Sequence, residues 1–310
     1  MLLLLVKRFA MMVAIMLVVS ILLFLLLELD PEGVAVKVLG PYTSVEQRML
    51  WLEQNGYNEA AWLRYIGWLG NLLQGDFGDS IKYKAPVSDI LWSRLANTGI
   101  LGLATFGVMI PLSLALGVLA GMREGSWLDR SISVTSIVTT SVPEFASAVL
   151  LVFLFVFHLG WLPGTSGMAD GFSWIELVLP VLVLVLYDFG YVARMTRASM
   201  AEVMQTPYIR TAILKGLPYK RVIMRHALRN ALIAPFTVIM LQINWLLSGV
   251  IVVEFAFSYK GFGALLLDAS LNDDIFLIQA CAMVAVFVAV ATQTLADIGY
   301  TYLNPRIRFS

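Results

Sequence analysis

The 310-residue chain is 59% hydrophobic and only 14% charged, with a mean hydropathy of +0.82. A soluble domain carries about 25% charged residues and roughly 45–50% apolar ones, so a water-soluble globule is excluded. Zero net charge, from 21 basic and 21 acidic residues, argues against the basic stripe of a nucleic-acid binder, and one cysteine with two histidines argues against a disulfide framework or a dedicated His/Cys metal site.

Lys7 and Arg8 precede an apolar run from Phe9 to Leu27, close to the roughly 20 residues a membrane-spanning helix needs. Glu28, Asp30 and Pro31 follow it without the small-residue pattern of a signal-peptide cleavage site. Residues 1–29 are therefore read as a retained spanning helix. Residues 30–95 are polar with interleaved Trp51, Tyr57, Trp62, Tyr65, Trp68 and Phe77. Trp and Tyr favour the headgroup region, so short amphipathic helices lying there are one expectation and a small folded cap over the outer mouth is the other.

Five further apolar runs follow, at about 97–121, 132–158, 174–195, 230–254 and 276–302, with Pro111, Pro143, Pro180 and Pro235 inside or beside them. Membrane helices tolerate such prolines where neighbours satisfy the freed carbonyl. The expected fold is all-α and integral to the membrane: six spanning helices, a core of five of them over 96–303, and a tail at 304–310. Basic residues set the orientation. Lys7, Arg8, Arg123, Arg130, the eight from Arg194 to Arg229, Arg306 and Arg308 share one side, whereas the two short loops opposite hold only Lys260. Both termini are expected in the cytoplasm.

The loop between spans four and five, 196–229, is built differently from the rest. From Arg194 to Arg229 there are eight basic residues and one acid, Glu202. Pro207 breaks the preceding helix. Tyr208 to Lys215 reads as a short helix closed by Gly216 and Pro218, a usual stop signal. Anionic lipid alone would account for the charge; the order of the residues points further.

This loop resembles that of ABC-importer membrane subunits, whose pattern is Glu-Ala-Ala, three residues, Gly, then nine residues before Ile-x-Leu-Pro. Arg210-Thr211-Ala212 stands in the Glu-Ala-Ala place, Gly216 falls at the right spacing, and Leu228 matches the later Leu. Arg210, His226 and Arg229 depart from the general pattern, and they fit the dipeptide/oligopeptide/nickel permease family. Further segments are similar to that family: Gly75-Asp-Phe-Gly-Asp-Ser80 before Pro86-Val87, Gly125-Ser-Trp-Leu-Asp-Arg130, Leu159-Gly-Trp-Leu-Pro163, Val253-Glu-Phe followed by Gly261-Phe-Gly263, and Asn304-Pro-Arg-Ile-Arg308.

The resemblance implies a type I ABC importer fold in a bacterial or archaeal inner membrane. It implies a second homologous permease subunit, two cytoplasmic ATPase subunits and an extracytoplasmic solute-binding protein as partners, with ATP and Mg2+ bound in the ATPases and no cofactor here. The ATPase-coupling residues it implies are Tyr208, Arg210, Thr211, Ala212, Lys215, Gly216 and Pro218. Peptide is the default substrate; nickel, glutathione, opines and oligosaccharides are the alternatives. The chain itself contains no Gly-x-x-x-x-Gly-Lys-[Ser/Thr] phosphate loop.

Ionisable groups inside a span are costly and mark pathways or paired sites. Asp188, mid-run in span four, would meet a peptide ammonium or pair with a basic or hydroxyl group on a neighbouring helix or subunit. Glu144 after Pro143 and Asn244 in span five are the other pathway candidates. Gln242 is expected to pack between helices, and Glu254 and Asp297 to lie at headgroup level. An aspartyl intramembrane protease would use Tyr187-Asp188, but no Gly-x-Gly-Asp follows. A stand-alone secondary transporter would show halves related by internal repeats, and none is evident.

Overall fold

The computed structural model describes residues 2–169 and 171–303; within these, the side chains of 2–5, 27–28, 244–249, 297 and 299–303 lie outside the description. Among the described residues the chain is helical without strands, apart from an isolated antiparallel bridge between Asp79 and Pro86. Helix α1 is Leu2–Glu28, followed by the short α2 (Pro31–Leu39), α3 (Val45–Gln54) and α4 (Ala61–Leu73). Next come α5 (Val87–Met122), α6 (Trp127–Ser141), α7 (Glu144–Val152) with a π-helical continuation Phe153–His158, and α8 (Trp174–Met204). The remainder comprises α9 (Pro207–Leu214), α10 (Tyr219–Arg221), a π-helical stretch Val222–Ala227, α11 (Leu228–Ala231), α12 (Ile233–Ala256), α13 (Phe262–Leu271) and α14 (Ile275–Leu303).

Four of these helices are long and apolar enough to cross a membrane. Two bent pairs bring the total to as many as six. The third apolar run, expected as one span, is broken between Ser141 and Glu144 by a bend of 101°. The cause is local. Pro143 lacks an N–H and excludes the preceding residue from the helical region, and Val142 accordingly sits at ψ 123. The fifth run bends by 49° at Leu232. Pro111 and Pro180, by contrast, are carried inside α5 and α8.

Local sequence accounts for the short helices of the segment after α1. Asp30 caps α2 by accepting from the Gly33 amide at 2.9 Å, with Pro31 in the first turn. Ser44 and Gln47 form a reciprocal capping box on α3. The chain divides into two compact units, one of residues up to 97 with 261–294, the other of 98–260 with the remainder.

In the first unit, Val87, Leu91, Phe262, Leu265, Leu277 and Cys281 form a buried core. The Gly75–Val87 segment is tied to it by polar contacts. The wholly buried Asp274 carboxylate accepts from the Ser80 hydroxyl and from the Lys82 amide at 3.1 Å. Asp268 accepts from the Lys82 ammonium and, at 2.8 Å, from the Tyr83 hydroxyl. Burial first, and the bond to Asp268 second, push the Tyr83 hydroxyl above its usual range. In the second unit, α8 packs against α6, α7, α11 and α12. Leu177, Val181, Leu184, Val185 and Val192 of α8 build the centre of its core.

Candidate functional site

The first candidate is the turn from α8 through α9 into α10. Thr206 at ψ 148 and Pro207 in the first helical position start α9. Its end is a Schellman-type closure: the Leu217 amide donates to the Ala212 carbonyl at 3.3 Å, and Gly216 takes φ 74, the left-handed conformation that glycine adopts without strain. The helix expected over Tyr208–Lys215 is thus present one residue earlier, and Gly216 is its stop.

The helix divides its side chains between two faces. Ile209 and Ala212 are buried in a cluster with Met200, Val222, Ile223, Ala227 and Ala231, to which Val118 and Met122 of α5 are packed. Outward stand Tyr208, Arg210, Thr211, Ile213, Leu214 and Lys215, with Leu214 80% exposed. Arg210 and Lys215 flank an apolar tip, and Pro218 is exposed beyond it. Tyr208 also accepts a bond from the Asn230 side chain at 2.8 Å, tying the outward face to α11. Of the seven residues singled out from sequence, six are solvent-facing. Ala212 turns inward: its small side chain lets α9 lie close on the chain's own helices.

Two features brace this region, and the sequence reading passed over both. Arg197 donates from Nε and NH2 to the two oxygens of Asp129, at 2.9 and 2.8 Å, and Asp129 is 3% exposed. The same carboxylate accepts from the Gly125 amide at 2.9 Å. This joins the α5–α6 turn to the C-terminal half of α8. The second feature is a backbone approach of α5 to α8. A Cβ at Gly121 would lie 2.6 Å from the Arg197 carbonyl oxygen, and one at Gly117 would lie 2.6 Å from that of Ala193. The signal was in the sequence: Gly117-Val-Leu-Ala-Gly121 is a small-xxx-small pattern, which allows membrane helices to meet closely.

The intramembrane candidate centres on Asp188 of α8, which is wholly buried. Gln242 of α12 donates to its Oδ1 at 2.8 Å, so Gln242 does pack between helices. Within the chain, the Asp188 partner is thus an amide. Asp188 Oδ2 has no hydrogen-bond partner among the described residues, and neither has Oε1 of Glu144, which is 8% exposed at the start of α7. Glu144 lies within Coulombic range of Asp188. Three helices thus bring two carboxyl groups and an amide to the broken point of the third apolar run. The Asn244 side chain lies outside the described residues. Glu254, expected at headgroup level, is wholly buried and bonded by the Thr98 hydroxyl. Burial follows because α12 turns that side inward two residues before its end. Asp297, the other acid expected at headgroup level, lies with its side chain outside the description. Among the described residues no group of three or more His, Cys, Asp or Glu is placed to hold a metal.

The site is thus a short helix, α9, anchored outside the apolar core of a multi-span helical fold. The chain belongs to the family described as binding-protein-dependent transport system inner membrane component, which matches residues 113–309. It is similar along nearly its whole length to curated permeases. A putative peptide transport system permease protein of Brucella abortus is 36% identical over 310 residues, covering 99% of each chain. The oligopeptide transport system permease protein AppB of Bacillus subtilis is 33% identical over 311 residues, covering 98% of each. The glutathione transport system permease protein GsiC of Escherichia coli K12 is 34% identical over 304 residues, again covering 98% of each.

Proposed function

We propose that this chain is a permease subunit of an ATP-driven importer of short peptides, in which α9 is the element a cytoplasmic ATPase grips. The observation that carries the reading is the division of α9 into an inward anchor, Ile209 and Ala212, and an outward face of Tyr208, Arg210, Thr211, Ile213, Leu214 and Lys215. An anchored helix moves as a body with α8, α10 and α5. A partner with two states would therefore bias a pore with two states. The basic rim and apolar tip suit a groove that is apolar at its floor and acidic at its edge.

The proposed arrangement has six spans, counting α6–α7 and α10–α12 as one each, with both termini and α9 in the cytoplasm of a bacterial or archaeal inner membrane. A second homologous permease completes the pore, two ATPase subunits hold ATP and Mg2+, and an extracytoplasmic binding protein delivers the substrate. Short peptide is the substrate class because the relatives carry peptide, oligopeptide and glutathione in their names, and glutathione is itself a tripeptide. Asp188 and Glu144, with Asn244 of α12, are proposed to border the pathway at the break between α6 and α7, where rearrangement of that break would expose their carboxyl groups.

The test is a gentle-detergent pull-down of the tagged chain from its own membrane, with Leu214→Glu and Ile213→Glu compared against wild type. Both side chains are exposed, so the variants retain the fold. Loss of co-purifying ATPase in the variants supports the reading. Unchanged recovery, or a chain that purifies alone in every case, refutes it.

A further inference from the structure

We propose that α4 is an in-plane helix embedded in the outer leaflet, a lipid-facing part of the protein and not a piece of a water-exposed cap; this rests on the orientation proposed above. Two observations fix its depth and its face.

The depth comes from α1. The Tyr65 hydroxyl of α4 is 2.8 Å from that of Ser20. The Phe24 ring lies edge-on to Tyr65 at 5.4 Å and tilted against Trp68 at 6.1 Å. Ser20 and Phe24 lie inside the apolar run 9–27. At a rise of 1.5 Å per residue, Ser20 is about 10 Å and Phe24 about 5 Å below the outer end of that run. A helix held to both side chains sits at the boundary of headgroups and acyl chains, the usual depth of an interfacial helix, about 5–10 Å into that region.

The face comes from the order of residues. Trp62, Ile66 and Leu73 are 63%, 59% and 78% exposed. At 3.6 residues per turn they fall within about 40° of one another. They form one apolar stripe, centred about 110° round the helix from the Tyr65 and Trp68 contact with α1. Arg64 and Asn71 lie about 180° round from it, and the Arg64 guanidinium is drawn over the Tyr57 ring at 4.4 Å. In water this stripe would expose two aliphatic side chains and an indole at no gain. In the leaflet it meets acyl chains, with the indole at the level Trp prefers. The α1 surface beside it, Leu17, Ile21, Leu22 and Leu25, is exposed and apolar in the same way, so the stripe continues a lipid-facing surface.

The experiment uses the full chain in nanodiscs of phosphatidylethanolamine and phosphatidylglycerol. Spin labels are placed singly by Trp62→Cys, Ile66→Cys, Leu73→Cys, Asn71→Cys and Tyr42→Cys. The native Cys281 is buried and gives little background. Leu73 makes so little contact that its replacement removes no packing, which guards against a misfolded variant. Collision with oxygen, which partitions into lipid, is compared with collision with a water-soluble nickel chelate. The proposal expects oxygen to dominate at 62, 66 and 73, the nickel chelate to dominate at 42, and 71 to lie closer to 42. Dominance of the nickel chelate at all three stripe positions would place α4 in water and overturn the proposal. Protection from both reagents would mean that another protein covers the stripe, which overturns it equally. A membrane-impermeant thiol reagent applied to Tyr42→Cys in sealed vesicles of known sidedness tests the orientation separately.

Discussion

Arg197→Ala strands a carboxylate inside the protein. The Asp129 side chain is 4% exposed and receives two charge-assisted bonds from Arg197 and one from the Gly125 amide. Removing one partner of a buried pair costs about 3–5 kcal/mol, because the remaining charge stays buried without compensation. The Gly125 bond survives and Arg197 is itself 30% exposed, so the lower end, about 3 kcal/mol, is expected. The reverse change behaves differently. In Asp129→Asn the freed guanidinium has water and Glu124, 3.6 Å away, to turn to, and asparagine still accepts from the Gly125 amide. That variant is expected to lose only about 1 kcal/mol. The double variant, with no stranded charge, should be more stable than Arg197→Ala alone. The assay is a reversible denaturant titration in detergent micelles, followed by fluorescence of the eight tryptophans. Equal losses for the two single variants, or strict additivity in the double, would refute the reasoning.

Gly121→Ala, which sets a Cβ 2.6 Å from the Arg197 carbonyl and 2.7 Å from the Met200 Cβ, is expected to cost about 2 kcal/mol by forcing α5 and α8 apart. Gly107→Ala on the same helix, with nothing within 4 Å, should leave stability unchanged or slightly raised; the same titration separates the two. Gly216→Val requires a branched residue at φ 74, a cost of about 1–2 kcal/mol. It is expected to lower transport-coupled ATP hydrolysis more than it lowers the recovery of folded chain, and equal falls in the two would place the residue outside the coupling path. Asp268 supplies a pH dependence. Burial raises its carboxyl, but the bonds from Lys82 and Tyr83 more than offset this and hold it below the usual carboxylate range. A depressed carboxyl contributes stability above its unfolded value and loses it as pH falls through the folded one. Thermal unfolding should therefore soften on acidification below the ordinary carboxylate range, and Asp268→Asn should flatten that part of the profile.

The helices themselves were legible because lipid and water sort residues by long apolar runs and by basic flanks, both of which are one-dimensional. The six runs read from the sequence each coincide with a helix or with a bent pair of helices. The α9 stop was equally legible, since Gly216 and Pro218 act on their own stretch of backbone. Pro143 was recognised as an interruption, but its consequence was not. A proline forbids a straight helix, and which way the chain leaves by 101° depends on what α8 and α12 offer on either side. Ala212 shows the same limit. Its motif position suggested an outward contact, and only the packing of Ile209 and Ala212 against Met200 and Val222 decides which face of an eight-residue helix is inward.

By itself, then, the sequence determined that this is a multi-span membrane protein, the order and extent of its apolar segments, and the placement and ending of the short helix α9. These follow from hydropathy, charge asymmetry and backbone-specific residues, each acting over a few turns of chain. The tertiary structure alone decided that Arg197 closes on Asp129, 68 positions away, that Gln242 reaches Asp188, and that the Gly75–Val87 segment is held by Asp268 and Asp274 nearly two hundred positions later. Hydrogen bonds and close backbone approach act over about 3 Å, so they depend on which segments the fold brings together, and spacing along the chain carries no record of that.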